Sequence, residues 1–268
     1  MALAEMELLG TLRLMEMVKH LSALTREGQL LAAAAARTDL ETPIPTCPEW
    51  DMRDLVRHMG DVHRWAAAHV AERRSEAIGR GALAEVVGPL PDDGHLLDWF
   101  REGHARLVET LTTADPDTQC WSFLPAPSPV AFWARRQAHE TGIHRVDAES
   151  PSGLDHITPF PPDFAIDGIE EFLFGFMSRP DGREKVEPPR TLQLHATDAE
   201  GDWLVRLGEE VDVHRGHGAA DCAVAGTASD LHLLLWNRRS PGGLDVDGDP
   251  SILTFWKDSV QVHWSRSR

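Results

Sequence analysis

The sequence lacks several features that would place it in common classes of protein. It contains no tyrosine, so tyrosine is excluded as an acid or base. Its three cysteines, Cys47, Cys120 and Cys222, are far apart and form no CxxC pair, which favours buried free thiols in a reducing compartment over a disulfide framework. Basic residues number 26 against 43 acidic ones, and the formal net charge of −17 disfavours binding to nucleic acid or to an anionic membrane surface.

The chain also lacks long hydrophobic runs. Nowhere do about 18 apolar residues follow one another, as a membrane-spanning helix requires. The segment "MALAEMELLGTLRLMEMVKHL" carries acidic residues at helical spacing rather than the basic region, apolar core and cleavage site of a secretory signal. These features predict a cytoplasmic protein. The 268 residues, 42% of them hydrophobic, suffice for one large domain or two ordinary ones.

Helical periodicity dominates the first half of the chain. Apolar residues recur at three- and four-residue steps over residues 1–37 and predict a long first helix, with Gly28 as a candidate break point. Three prolines in "TDLETPIPTCPEW" predict a crossing loop. Further helices are predicted over residues 51–76 with Asp51 as N-cap, in "PDDGHLLDWFREGHARLVETLTTAD", and over residues 129–149. Four such helices indicate a four-helix bundle.

The composition and the hydrophobic periodicity of the sequence change from residue 151. A Pro- and Gly-rich linker, "PSGLDHITPFPP", precedes one helix in "DFAIDGIEEFLFGFMS". The runs "TLQLHATD", "DWLVRLG", "EEVDVHRG" and "DCAVAGT" predict an antiparallel meander, followed by a helix in "SDLHLLLWNRR" with Ser229 as N-cap and a final strand in "DSVQVHW". The predicted fold class is therefore α+β with two domains, a four-helix bundle over residues 1–152 and a small α+β domain over residues 153–268.

One helix carries a pair of metal-ligating residue types. Glu140 and His144 stand four residues apart, so their side chains project only about 40° apart around the helix axis. Such pairs are also common as solvated, weakly interacting neighbours, and this alternative stays open for the pair taken alone. On the second helix, His58 lies on the apolar face, where a polar ring needs a partner or a ligand. Because bundles build metal sites from facing helices, His58, Glu140 and His144 are predicted to converge.

Two imidazoles and one carboxylate would leave a coordination position free for water or substrate. This arrangement is typical of catalytic rather than structural zinc, although other divalent metals suit the same ligands. His63 and His139 are weaker candidates because His63 projects about 140° away from His58, and His139 about 100° away from Glu140.

Three ordered segments together resemble one family. The segments "PTCPEWDMRDLVRHMGDVHRWAAAHV", "WARRQAHETGIHRVDAE" and "TASDLHLLLWNRR" are similar to the mycothiol-dependent maleylpyruvate isomerase family of actinobacteria, a branch of the DinB-like metal-binding four-helix bundles. The resemblance spans nearly the whole chain and implies an N-terminal DinB-like bundle coupled to a smaller α+β domain. It implies that His58, Glu140 and His144 are the metal ligands and that mycothiol is the thiol cosubstrate.

The segment "TCPEW" is a hallmark of this resemblance, and its expected task is structural. Pro45 and Pro48 would fix the crossing of the chain, Trp50 would pack, and Cys47 would fill a small buried site. A catalytic role for Cys47 is an open alternative, since it lies near a helix N-terminus, where thiolates are favoured.

Arginines are the candidates for binding a substrate carboxylate. The resemblance implies that Arg238, in "WNRR", faces an interdomain cleft, with Asn237 beside it; the alternative is a cation favoured by the helix C-terminus. Arg80, together with Arg73 and Arg74, is a further anion-binding candidate, with surface charge as the alternative.

Together these features predict a metal-dependent isomerase or S-transferase. A mycothiol thiolate on the metal, most simply Zn²⁺, would attack a small electrophilic metabolite that carries a carboxylate. The expected partners are this substrate and the low-molecular-weight thiol, and the protein is expected to be a monomer or homodimer. Two alternatives stay open: a thiol-independent hydrolase or ring-opening enzyme that uses metal-bound hydroxide, and a non-catalytic protein that binds a small ligand.

Overall fold

The computed structural model describes residues 2–177 and 186–260, with the side chains of residues 2–15 and of Arg80 outside the description. The chain divides into two compact units, one extending to Ile157 and the other beginning at Thr158. Within the described residues, no helix is both long enough and apolar enough to span a membrane.

The first unit is helical. Its helices are α1 (Ala2–Ala35), α2 (Met52–Ala71), α3 (Arg80–Val87), α4 (Leu96–Thr113) and α5 (Pro129–Glu149). Helix α1 packs against α4 and α5, and α2 packs against the same two helices, so the four long helices form the predicted bundle. The short helix α3 was not predicted. Side chains from all four long helices form the core, among them Leu24, Leu31, Met52, Leu55, Phe100, Trp133 and Ile143.

Capping residues set the starts of the helices that carry the candidate site. The predicted N-cap Asp51 is confirmed: its carboxylate accepts from the Asp54 N–H at 2.8 Å, and the Asp54 carboxylate accepts from the Asp51 N–H at 3.4 Å. Helix α2 ends at Ala71 rather than at residue 76, because Arg73 adopts a positive φ of 50° that a helix cannot continue. Helix α5 has the predicted bounds, with Ser128 as N-cap.

The expected break at Gly28 is wrong, since α1 continues through it. A Cβ atom at this position would lie 2.2 Å from Nε2 of His104 on α4. The His104 ring is buried, and its Nε2 bonds the Leu24 carbonyl at 2.9 Å. Gly28 therefore permits a close approach of α1 and α4.

The second unit contains a five-stranded sheet and helices. Its elements are α6 (Pro162–Glu170), which continues as a π-helical turn over Glu171–Phe176, then β1 (Arg190–Ala196), β2 (Asp202–Leu207), β3 (Val211–Arg215), β4 (Cys222–Gly226), α7 (Ala228–Leu235), β5 (Asp245–Gly248) and α8 (Ser251–Ser259). The strand order is β3-β2-β1-β4-β5. Apolar side chains of one sheet face are buried, and α7 packs against β1 and β4.

The antiparallel meander is confirmed for β1, β2 and β3, but it is wrong for β4. That strand lies parallel to β1, with Leu192 beside Cys222 and Leu194 beside Val224. The β2–β3 hairpin supplies the long connection that parallel neighbours require. Strand β5 was not predicted, because "DVDG" has little of the apolar alternation that marks a strand.

Two further expectations for this unit need correction. The N-cap of α7 is Thr227, whose hydroxyl accepts from the Asp230 N–H at 3.1 Å; Ser229 instead accepts from the Phe160 N–H at 3.0 Å. The final strand is wrong where it can be examined, since Asp258 and Ser259 end α8. Residues 261–264 of that expected strand lie outside the described residues.

The substitution Gly28→Ala tests the close approach of α1 and α4. Alanine favours a helix, but here its methyl group would overlap the His104 ring, so we expect a loss of about 1–3 kcal/mol in the free energy of unfolding. The control is Gly81→Ala in α3, where nothing lies within 4 Å of the added Cβ and a gain of up to about 1 kcal/mol is expected. Urea unfolding of both variants measures the difference. A stabilised Gly28→Ala variant would contradict the packing argument.

Candidate metal centre

The structure brings together the three residues predicted to converge. His58 projects from α2, and Glu140 and His144 project from α5. One ligand atom from each lies within 4.8 Å of the others. Oε1 of Glu140 stands 3.6 Å from Nε2 of His58 and 3.6 Å from Nε2 of His144. One carboxylate oxygen is therefore shared between two imidazole nitrogens.

Burial decides between the two interpretations of the Glu140–His144 pair. Residue exposures are 6% for His58, 3% for Glu140 and 0% for His144. Solvated neighbours on a helix surface would be largely exposed, so that alternative is excluded. Polar groups held out of water need hydrogen-bond partners or a bound ligand.

A second carboxylate fixes the orientation of His144. Its Nδ1 lies 2.8 Å from Oδ2 of Asp147, and the Thr46 hydroxyl donates to Oδ1 of Asp147 at 2.6 Å. A carboxylate at Nδ1 favours the tautomer that carries its proton there, which leaves the Nε2 lone pair directed towards Glu140 and His58. Imidazoles that bind metals are commonly held in this way by a carboxylate at their other nitrogen.

Glu140 is oriented by an arginine one turn earlier on α5. The Arg136 guanidinium donates from Nη2 to Oε2 of Glu140 at 2.8 Å, and both side chains are buried. This bond holds one carboxylate oxygen and leaves Oε1 directed at the two imidazoles. The arginine also compensates the negative charge of a carboxylate inside the bundle.

The loop "TCPEW" forms part of the site. The Trp50 ring stacks on His144, with centroids 5.8 Å apart and planes 8° apart, and lies 4.8 Å from the His58 ring. Cys47 was expected to fill a buried site but is half-buried, and its Sγ lies 3.5 Å from Oδ2 of Asp147. The loop thus contributes an apolar wall and contacts to the Asp147 carboxylate.

Electrostatics keep Glu140 ionised. Burial raises the pKa of this carboxyl, but the interactions with His144 and His58 and the charge of Arg136 outweigh it and hold the pKa well below its ordinary value. Burial lowers the pKa of His58. It also acts to lower the pKa of His144, but Asp147 and Glu140 together raise that pKa above the ordinary value. A negative charge is therefore retained among nitrogen donors.

The donor set suits a divalent metal ion. Two ligands at about 2.0–2.1 Å on a tetrahedral zinc lie about 3.3 Å apart, close to the separations of 3.6 Å between Glu140 and each imidazole. Two nitrogens and one carboxylate oxygen also leave a position for a further ligand. The residue types present and the two Glu140 separations therefore fit a metal of the zinc type.

Both units of the chain match models of known protein families. Residues 21–149 match the mycothiol maleylpyruvate isomerase N-terminal domain, and residues 163–253 match the C-terminal domain of the same family. The chain belongs to the mycothiol-dependent maleylpyruvate isomerase family. No curated protein sequence matches it.

Two solved structures share the fold of this family member. One is the crystal structure of the mycothiol-dependent maleylpyruvate isomerase, with a TM-score of 0.58, 14% sequence identity and coverage of 86% of this chain and 92% of that one. The other is a mutant of that isomerase, with a TM-score of 0.56, 13% identity and the same coverage. At this identity the likeness shows the fold.

Other histidines of this isomerase family member lie apart from the triad. His63 is fully buried, and its Nε2 bonds the Thr141 hydroxyl at 2.9 Å. His139 faces His20, with ring centroids 6.0 Å apart. Neither residue is grouped with His58, Glu140 and His144.

The candidate anion-binding residues occupy different settings. Asn237 follows the C-cap of α7, has a φ of 58°, and donates from Nδ2 to the Val260 carbonyl at 2.7 Å, so these backbone roles account for it. Arg238 is 9% exposed and donates from Nη1 to the Trp236 carbonyl at 3.0 Å.

The candidate arginines of the first unit lie after α2. Arg74 pairs with Glu72, and Arg73 adopts the positive φ that follows the helix. Arg80 begins α3, and its side chain lies outside the described residues.

Sequence reasoning missed the groups that orient the triad. Arg136 precedes Glu140 by four residues and Asp147 follows His144 by three, so both spacings were visible as helix neighbours. Thr46 could not be found in this way, because it lies 101 residues from Asp147 in sequence.

A buried ion cluster also supports α5. Arg145 is fully buried and donates from Nε to Glu27 on α1 at 2.7 Å and from Nη1 to Glu149 at 2.9 Å. Glu27 has no exposed surface, so it depends on partners inside the protein. The cluster links α5 to α1 through Arg145, the residue that follows His144 of the triad.

We expect Arg145→Met to lower the free energy of unfolding by up to about 3–5 kcal/mol, because Glu27 and Glu149 lose the buried cation they share and, among the described residues, Glu27 keeps only the partly exposed Arg26. The control is Arg101→Met, which removes an exposed pair with Asp98 on α4 and should change stability little. Urea unfolding distinguishes the two variants. Equal effects in both would show that the buried cluster contributes no more than a surface pair.

Proposed function

We propose that the chain is a metal-dependent, mycothiol-dependent isomerase or S-transferase acting on a small electrophilic metabolite that carries a carboxylate. Family membership supports the thiol-dependent isomerase class. The observation that carries the metal dependence is the convergence of His58, Glu140 and His144, buried and directed at one point.

Each residue of the site has a role in this proposal. His58, Glu140 and His144 would hold a divalent metal, for which Zn²⁺ fits the donors. When bound, the metal would supply the chemistry that deprotonates a thiol and so creates a nucleophilic sulfur. Asp147 would hold the proton of His144 on Nδ1, and Arg136 fixes Oε2 of Glu140.

The surroundings of the triad favour a nucleophile that is protected from water. Trp50 covers one face of His144 and contacts the His58 ring, and the triad side chains are nearly fully buried. Addition of the sulfur to a conjugated C=C bond would move its π electrons into an enolate and leave a single bond that can rotate. Cleavage of the C–S bond would then restore the double bond and the thiolate and give the cis–trans isomer, whereas protonation of the enolate by the proton that the thiol released would give an S-conjugate. Arg238 and Arg80 stay predictions as the groups that would bind a substrate carboxylate or stabilise an enolate.

Metal content tests the triad. Wild-type protein reconstituted with Zn²⁺ and dialysed should retain, by elemental analysis, about one equivalent of Zn²⁺ more than each of His58→Ala, Glu140→Gln and His144→Ala. The control is His69→Ala on α2, which removes a buried histidine that bonds the Trp65 carbonyl and the Ile78 N–H instead. A zinc content equal to that of wild type in all three triad variants would overturn this assignment.

The requirement for a thiol separates the proposal from its alternatives. Turnover of candidate unsaturated carboxylates should depend on added mycothiol, and mycothiol should change the visible spectrum of cobalt-loaded protein. Turnover without any thiol would favour hydrolysis or ring opening by an activated water. Metal binding with neither turnover nor a spectral response would favour a ligand-binding protein.

Asp147→Asn tests how His144 is oriented. An amide cannot supply the negative charge that holds the Nδ1 proton, so we expect Zn²⁺ affinity to fall about 10- to 100-fold, as measured by competition with a chromogenic chelator. Thr46→Val removes only the hydroxyl that holds Asp147 and should cause a smaller loss. Unfolding curves establish that both variants are folded. Unchanged affinity in Asp147→Asn would show that the carboxylate does not act on the metal.

A further inference from the structure

A second group of metal-ligating side chains lies on the sheet of the second unit. His195 belongs to β1, Asp202 to β2, and His217 to the segment that follows β3. Their side chains are 47%, 23% and 68% exposed, respectively. The group is therefore open to solvent, unlike the triad of the bundle.

The backbone brings these three residues together. His195 and Asp202 are direct partners in the antiparallel register of β1 and β2, so their side chains share a face of the sheet. The chain then turns at Gly216, which has a φ of 107° and donates its N–H to the Asp202 carbonyl at 2.9 Å. This turn places His217 beside Asp202. The three side chains are thus positioned by regular pairing and a glycine turn.

Both imidazoles are directed at the same carboxylate oxygen. Nδ1 of His195 lies 2.7 Å from Oδ1 of Asp202, and Nε2 of His217 lies 3.0 Å from that atom. The two rings have centroids 5.7 Å apart. As two exposed ion pairs these contacts would add little to stability. As two imidazole nitrogens and a carboxylate oxygen within 4.8 Å, they form the donor set that zinc and neighbouring transition metals prefer.

We propose that His195, Asp202 and His217 form a second divalent-metal site, which takes Zn²⁺ or another first-row transition ion that prefers imidazole. Ligands on one metal lie about 3.3 Å apart, so the contacts of 2.7 and 3.0 Å must lengthen by less than 1 Å. The side chains are exposed enough for this adjustment. A bound ion would link β1, β2 and the segment after β3.

The same unit offers a matched control. On β3, His214 bonds Asp212 through Nε2 at 2.8 Å, and both side chains are exposed. This pair has the same residue types as two members of the proposed site. Among the described residues, however, no third ligand is grouped with it. His214→Ala therefore removes an exposed histidine without removing a three-ligand cluster.

Zn²⁺ titration of tag-free, metal-stripped protein by calorimetry tests the proposal. We expect His217→Ala and His195→Ala each to bind one equivalent of Zn²⁺ fewer than wild type. If that equivalent still binds, its Kd should rise by more than the roughly 10- to 100-fold that loss of a residue behind a metal ligand causes. His214→Ala should titrate as wild type. Equal titrations of wild type and both site variants, or an equal loss in His214→Ala, would overturn the proposal and leave only non-specific binding by surface histidines.

The triad variants keep this test separate from the metal centre of the bundle. If both sites exist, His58→Ala should retain the equivalent that His217→Ala loses, and the reverse should also hold. Substoichiometric Cu²⁺, a paramagnetic ion with the same ligand preference, should broaden the amide resonances of His195, Asp202 and His217 before those of Asp212 and His214. Broadening that begins at His214 would contradict the proposed location, whatever the state of the bundle site.

Discussion

One constraint governs the packing of the bundle: helix α5 is buried on nearly all sides, and its polar side chains need partners inside the protein. From Arg136 to Glu149, every residue of α5 is buried, although five of these residues are acidic or basic and take part in ion pairs within the helix or with α1. A buried charge without a partner costs more than most single packing contacts provide. The positions of the surrounding helices therefore have to satisfy α5: α1 brings Glu27 to Arg145, and α2 brings His63 to Thr141.

These pairings also fix the position of the candidate metal centre. A slide of α1 along α5 by one turn, about 5.4 Å, would break the Arg145–Glu27 bond. The same slide of α2 would break the His63–Thr141 bond. The same register places His58 opposite Glu140. We infer that the buried polar contacts select one arrangement of the helices, a use of buried polar groups that is established for helical assemblies. The triad would then be held in place by bonds outside it.

The local parts of this structure were predictable, and the non-local parts were not. Helix α5 has its predicted bounds because its start depends on a local signal, Pro129 in the first turn. Periodicity alone did not predict the burial of the Glu140–His144 pair, since α5 carries charged residues all round and shows no apolar face; only the pattern of metal-ligating residues placed it inside the bundle. The parallel placement of β4 depends on which strand it meets, and its alternating sequence is the same for either neighbour.

The loop "TCPEW" shows how one segment serves both fold and site. Its backbone is fixed locally, with the Ile44 N–H donating to the Trp50 carbonyl at 2.9 Å and the Trp50 N–H to the Cys47 carbonyl at 2.8 Å. That closed loop sets Thr46 against Asp147 and the Trp50 ring against His144. A motif that sequence reasoning assigned to packing therefore also orients a histidine of the triad. Asp147 can fix the orientation of the His144 ring only if its own carboxylate is fixed. Because the loop holds that carboxylate through Thr46, it also restricts the direction of the His144 Nε2 atom.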